Sequence, residues 1–276
     1  MNQSMLTATN TLRQLQDKID TISHNVANVD TNGYKSKQAS FTDLLVQQIN
    51  NQPDTSKETG RKTPYGIRTG TGAKLAQAVI SPSQGALEHT GRALDMAFTK
   101  ENQYLKVLAR ANGSDEVAFT RNGALEVSPL GNNRSVLTDA NGNPVLDEHN
   151  AMITFRGNVA DYAIRPNGTL QVAYSDGTRE SFNLGVVQMR NPQVLEQVGN
   201  NLLRLPQNVN AANVYTDLTG ANRSQISMQQ DVLEKSNVDL STEITELTKT
   251  ERLYQFQSKT ITLSDQMMGL VNNIRS

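Results

Sequence analysis

The chain of 276 residues contains no cysteine and no tryptophan, and aromatic residues make up only 5% of it. Without cysteine there are no disulfides, no thiolate metal sites and no cysteine nucleophile. With 36% hydrophobic residues, the sequence is lean for an enzyme core yet too apolar for general disorder. An excess of one charge is also missing. The 26 basic and 27 acidic side chains leave a net charge of −1, which offers no basic footprint for nucleic acid. No apolar run approaches the roughly 18 residues of a membrane span, so no membrane insertion is expected. The first residues, MNQSMLTATNTLRQLQDKID, lack a basic start, an unbroken apolar stretch and a small-residue cleavage site. If the protein leaves the cytoplasm, it is expected to do so without a cleaved signal.

Catalytic signals are sparse as well. His24, His89 and His149 lie far apart, and none is at ligand spacing from another. The stretch GIRTGTGAKLAQ has Ala73 where a phosphate loop needs glycine before Lys74, and Leu75 where it needs Ser or Thr. There is no G-x-S-x-G. Asp115/Glu116 and Asp147/Glu148 are adjacent in loop-like sequence, which suits solvation better than acid–base work. The expectation is no enzyme, no catalytic or metal-binding residue and no cofactor.

What is present is periodicity at both ends. Met5, Ala8, Leu12, Leu15, Ile19, Ile22, Val26 and Val29 are spaced alternately by three and four, which is a heptad seam on a helix. The helix should stop near Asn28, because Asp30, Asn32 and Gly33 favour a turn. The second seam begins with Leu240, Ile244 and Leu247. It continues, with an offset, through Leu253, Phe256, Thr260, Leu263, Met267, Leu270 and Ile274. Asp239 suits an N-cap, and Glu243 adds negative charge to the first turns. Tyr254, Ile261 and Met268 widen the apolar surface beyond what one partner helix covers.

Between the ends the helical period disappears. Residues 50–64, NNQPDTSKETGRKTP, read as a polar connector. Short strand-like runs follow, such as QYLKVLA and YAIRPNGTLQVAY, broken by Asn122-Gly123, Asn141-Gly142, Asn167-Gly168 and Asp176-Gly177. The expected fold is α+β: N- and C-terminal helices paired as a coiled-coil-like inner domain, with a central antiparallel all-β domain. Residues 1–49 and 221–276 are assigned to the helical domain, 50–79 to a connector and extended segment, and 80–220 to the β domain.

Specific motifs carry a family resemblance. SHNVANVDTNGYKSKQASF resembles the N-terminal signature of bacterial flagellar rod and hook axial proteins, with Asn25, Ala27, Asn28, Thr31, Gly33, Tyr34, Lys35 and Phe41 at the matching positions. LEKSNVDLSTEITELTKTERLYQFQSKTITLSDQMM resembles their C-terminal signature, through residues that include Leu233, Asn237, Asp239, Glu243, Arg252, Tyr254 and Asp265. GALEHTGRALDMAF and FTRNGALEV resemble internal family segments. A single β domain of about 140 residues makes the chain most similar to the distal or proximal rod types.

The resemblance implies a structural subunit of the basal-body rod. It implies self-assembly into a helical tube linking motor to hook, neighbouring rod and hook proteins as partners, and export through the flagellar type III apparatus. The implied location is the flagellar basal body in the cell envelope. The assembly interface is expected at Met5, Leu12, Leu15, Ile19, Ile22, Val26, Leu240, Ile244, Leu247, Leu253, Phe256, Leu263, Met267, Leu270 and Ile274. The alternative is a soluble β-domain adaptor that closes into a coiled-coil oligomer through its end helices.

Overall fold

A computed structural model describes residues 2–39, 41–43, 46–49, 67–70, 73–75, 78–111, 114–199 and 201–275. The polar connector at 50–64 lies outside the described residues. The chain divides into two units. One comprises the described parts of Met1–Val26, Lys37–Val79 and Leu240–Ser276; the other comprises Ala27–Ser36 and Ile80–Asp239.

The first unit is built on α1 (Asn2–Ala27) and a 36-residue C-terminal helix, numbered α3 here (Leu240–Arg275) because a single turn, α2 (Ala211–Val214), precedes it in the other unit. Both long helices are rich in Thr and Ser, which are weak helix formers. Their hydroxyls donate back to the carbonyl four residues earlier, as in Thr9 to Met5 at 2.8 Å, Thr21 to Asp17 at 2.9 Å and Thr250 to Glu246 at 2.7 Å. Beyond α1 the chain does not remain helical to residue 49. Phe41–Asp43 pairs antiparallel with Ala73–Leu75, and Val46–Ile49 with Ile67–Gly70. The glycine-containing stretch that superficially suggests a phosphate loop therefore contributes strands.

The second unit is antiparallel β. A six-stranded sheet has the order Glu196–Gln197, Leu203–Arg204, Ser114–Thr120, Gln103–Ala111, Val186–Met189 and Tyr215–Asp217. Two three-stranded sheets accompany it: Leu125–Gly131, Arg134–Asp139 and Thr154–Arg156, then Val159–Ile164, Thr169–Tyr174 and Arg179–Asn183. Alternation along the central strand sends Leu105 and Val107 into the main core with Phe98, Leu125, Leu137, Leu170 and Leu184. Tyr104 points to a smaller core with Phe119, Val187, Met189 and Val214.

Three of the four glycine turns reverse the chain within a ladder: Gly142 N–H donates to Asp139, Gly168 to Arg165 and Gly177 to Tyr174, each at 2.9–3.0 Å. Asn122-Gly123 differs, because it connects strands that pair elsewhere. There a Cβ on Gly123 would lie 1.7 Å from the Met96 carbonyl oxygen, so no side chain fits.

The unit also extends past residue 220. Met228–Gln230 pairs with Met96–Phe98 and Val232–Glu234 with Leu87–His89, so α3 starts only at Leu240. Val232 and Leu233 are buried. Pairing with the sheet satisfies backbone groups that a helix would otherwise have bonded internally.

Candidate assembly surfaces and chain crossings

α1 and α3 treat their seams differently. On α1, Ala8, Leu15 and Ile22 are buried, with Met5, Leu12, Ile19 and Val26 half-buried. On α3 the described positions that lose solvent are Glu243, Glu246, Leu247, Thr250, Tyr254, Gln257, Ile261, Ser264 and Met268, which follow a three- and four-residue spacing along one face. Thr250 is 1% exposed. Two polar contacts join the helices in antiparallel order: Asn25 Nδ2 donates to Glu243 Oε1 at 2.9 Å, and Lys18 Nζ to Glu246 Oε2 at 2.8 Å.

The principal sequence seam of α3 lies on other faces. Leu240, Ile244, Leu253, Phe256, Leu263, Met267, Leu270 and Ile274 are all exposed, and Val271 joins them. Phe256 is 66% exposed and Ile274 85%. Of the expected interface residues, those of α1 and Leu247 are buried or half-buried, and the remaining eight of α3 face outward. Burying one large apolar side chain contributes roughly 1.5–3 kcal/mol, and an exposed apolar stripe is the kind of surface that marks interaction sites.

The two places where the chain passes between helix and sheet carry the motif residues. After α1, Thr31 N–H donates to the Asn28 carbonyl at 3.2 Å and closes a turn. Gly33 follows with φ of +68°, and a Cβ there would sit 2.6 Å from the Arg121 carbonyl carbon. Tyr34 is buried. Before α3, Asn237 Oδ1 accepts the Ser36 N–H at 2.7 Å, while its Nδ2 donates to the Ser83 carbonyl at 2.9 Å. Asn25, on α1, grips the backbone in a comparable way. Its Oδ1 accepts the Lys37 N–H and its Nδ2 donates to the Lys37 carbonyl, both at 2.9 Å. Asn-Val-Asp occurs at both crossings, at residues 28–30 and 237–239, and serves a different local geometry at each. Ala27 ends α1, and Asp239 immediately precedes α3.

A buried ion cluster ties the crossings together. Glu234 Oε1 accepts from Lys35 Nζ and Glu234 Oε2 from Arg121 Nε, each at 2.6 Å. The same Oε1 accepts the Gly85 N–H at 3.0 Å, and Lys35 Nζ also donates to the Ser83 carbonyl at 2.6 Å. Arg121 donates further to the carbonyls of Gln103 and Lys100, both at 3.0 Å. Burial, reinforced by the Arg121 charge, lowers the Lys35 pKa from the ordinary lysine value despite its bond to Glu234. Glu234 and Arg121 escaped the sequence reading as a pair. The signal for them was a charged residue at the end of each of two strand-like runs, Glu234 in VLE and Arg121 in VAFTR.

Among the described residues no three of His, Asp or Glu cluster as a metal set, and no helix is long and apolar enough to cross a membrane. The arrangement holds two crossings in place and presents an apolar helix face.

Residues 5–35 match the family described as flagella basal body rod protein, and residues 229–274 match the flagellar basal body rod FlgEFG protein C-terminal family. The chain is 45% identical to the flagellar hook-basal body complex protein FlhP of Bacillus subtilis, over 100% of both chains. It is 31% identical to the flagellar basal-body rod protein FlgG of Caulobacter vibrioides, over 99% of this chain and 100% of that one. Identity to the Bacillus subtilis FlgG is 29%, again over the full length of both. The chain belongs to the family of flagellar basal-body rod and hook-basal body complex proteins.

Proposed function

We propose that this chain is a structural subunit of the flagellar basal-body rod. It assembles with copies of itself, and with neighbouring rod and hook proteins, into a helical tube that links the motor to the hook. The single observation that carries the assembly step is the exposed apolar stripe of α3, from Leu253 to Ile274. Lys18 and Asn25 hold α1 to Glu246 and Glu243 of α3, and the stripe is left for other copies. Contacts between unlike faces that do not close in a ring generate a helical tube.

In this reading the paired α1 and α3 form a coiled-coil-like domain through which the copies meet. The subunit travels through the flagellar type III export apparatus without a cleaved signal. Its role is mechanical, with no catalytic step. Sedimentation of the full-length protein across a concentration series tests the reading. A rod subunit grows beyond any fixed size once a threshold concentration is passed. An oligomer that saturates at two or three copies would instead identify a closed coiled-coil adaptor.

A further inference from the structure

The α1–α3 unit contains a crevice of about 270 Å³, lined by Lys18, Thr21, Ile22, Lys37, Glu243 and Glu246 among others. Its carboxylates are occupied. Glu246 is bonded by Lys18 at 2.8 Å and by Lys249 at 3.3 Å, and Glu243 accepts from Asn25 at 2.9 Å. The Lys37 backbone is held by Asn25 at both its N–H and its carbonyl. Its ammonium has no ion pair or hydrogen bond among the described residues. Burial pushes the Lys37 pKa down, and no nearby carboxylate offsets that push. The crevice therefore presents a partly desolvated ammonium on a backbone that Asn25 anchors.

The same helices carry the complement. Asp17, Asp20, Glu251 and Asp265 are exposed and have no ion pair among the described residues. We propose that the Lys37 crevice is the socket for a carboxylate from the terminal helices of a second copy, so that one ion pair sets the register in which copies meet along their apolar faces. This rests on the reading of the chain as a self-assembling subunit. The apolar stripe supplies non-directional affinity, and a charge pair in a partly dry crevice supplies the direction.

Charge-swap variants of the full-length protein test the proposal, with assembly followed by sedimentation. Lys37→Gln should raise the threshold concentration for assembly about tenfold, while Lys37→Arg stays within about twofold of wild type. Lys37→Glu should fail alone and recover when mixed with a copy carrying Lys at one of Asp17, Asp20, Glu251 or Asp265. Wild-type growth with Lys37→Gln equally competent overturns the proposal alone. So does failure of all four swaps to restore Lys37→Glu. Loss of helicity in monomeric Lys37→Gln would assign the lysine to folding and overturn it. Saturable binding of inorganic phosphate to the monomer, abolished in Lys37→Gln, would assign the crevice to a free anion and overturn it too. A wild-type protein that remains monomeric at every concentration overturns the rod reading, and this proposal with it.

Discussion

Lys35 Nζ lies 2.6 Å from Glu234 Oε1 across 199 positions of sequence, and both side chains are almost fully withdrawn from solvent. One carboxylate thereby joins the residues that leave α1 to those that lead into α3, and a second cation, Arg121, completes the cluster. Two buried cations share one anion, so removing the anion is the most damaging single change.

Glu234→Gln should destabilise the β unit by about 3–5 kcal/mol, because both cations lose their counter-charge in a dry site. Urea denaturation of the full chain measures it. Lys35→Met removes the excess cation and should cost clearly less. Equal losses for the two variants would show that Glu234 acts through packing and not through charge.

The same pair gives a pH dependence with a defined sign. The folded-state pKa of Lys35 is depressed below the ordinary value of 10.5 by burial and by Arg121. The unfolded chain then binds more protons in the window below 10.5, so this group's contribution rises with pH there. It is fully present above the unfolded value and is lost as pH falls through the folded one. Buried Tyr104 opposes it, since burial raises that pKa and its contribution declines as pH climbs. The difference between wild type and Lys35→Met isolates the lysine. That difference should shift in favour of wild type as pH is raised from neutral toward 10.5. A shift the other way would mean that the bond to Glu234 outweighs desolvation.

Gly33→Ala should destabilise by more than about 2 kcal/mol, since it combines an αL backbone with a Cβ placed against the Arg121 backbone. Gly142 has φ of +82° but nothing within 4 Å of a Cβ. Gly142→Ala should therefore cost only the conformational part, roughly 1 kcal/mol. Thermal melting of the two variants separates the steric contribution from the dihedral one.

Leu263→Asp should leave the monomer's stability within about 0.5 kcal/mol of wild type, because the side chain is already exposed. It should abolish assembly in sedimentation and motility in cells, since a neighbour would have to bury the carboxylate. Ile22→Asp, on the buried face of α1, should instead reduce helicity in the monomer itself. If Leu263→Asp assembles normally, the outward stripe of α3 is not a subunit contact.

Asn25→Ala strips the Lys37 amide and carbonyl of their side-chain partner and should cost about 1–3 kcal/mol. Hydrogen exchange at the Lys37 amide should accelerate, while exchange at Leu105 in the β core stays slow. Unchanged protection at Lys37 would remove Asn25 from its anchoring role.

The sequence by itself determined the helices, the β character between them and the turn that follows α1. Those signals are local: a heptad repeat, a two-residue alternation and an Asn-Gly pair act through neighbours a few positions away. Tertiary structure decided which face of α3 is spent inside the monomer. Leu247, Tyr254, Ile261 and Met268 lie on the face that loses solvent, while Leu253, Phe256 and Leu263 face outward. Both stripes have helical spacing, and periodicity carries no label for the partner. The sheet also claimed Met228–Gln230 and Val232–Glu234, because their ladder partners Met96–Phe98 and Leu87–His89 are far away in sequence. The Lys35–Glu234–Arg121 cluster was decided in the same way. A charge beside apolar residues reads as solvated until the fold removes its water and brings the opposite charge to it.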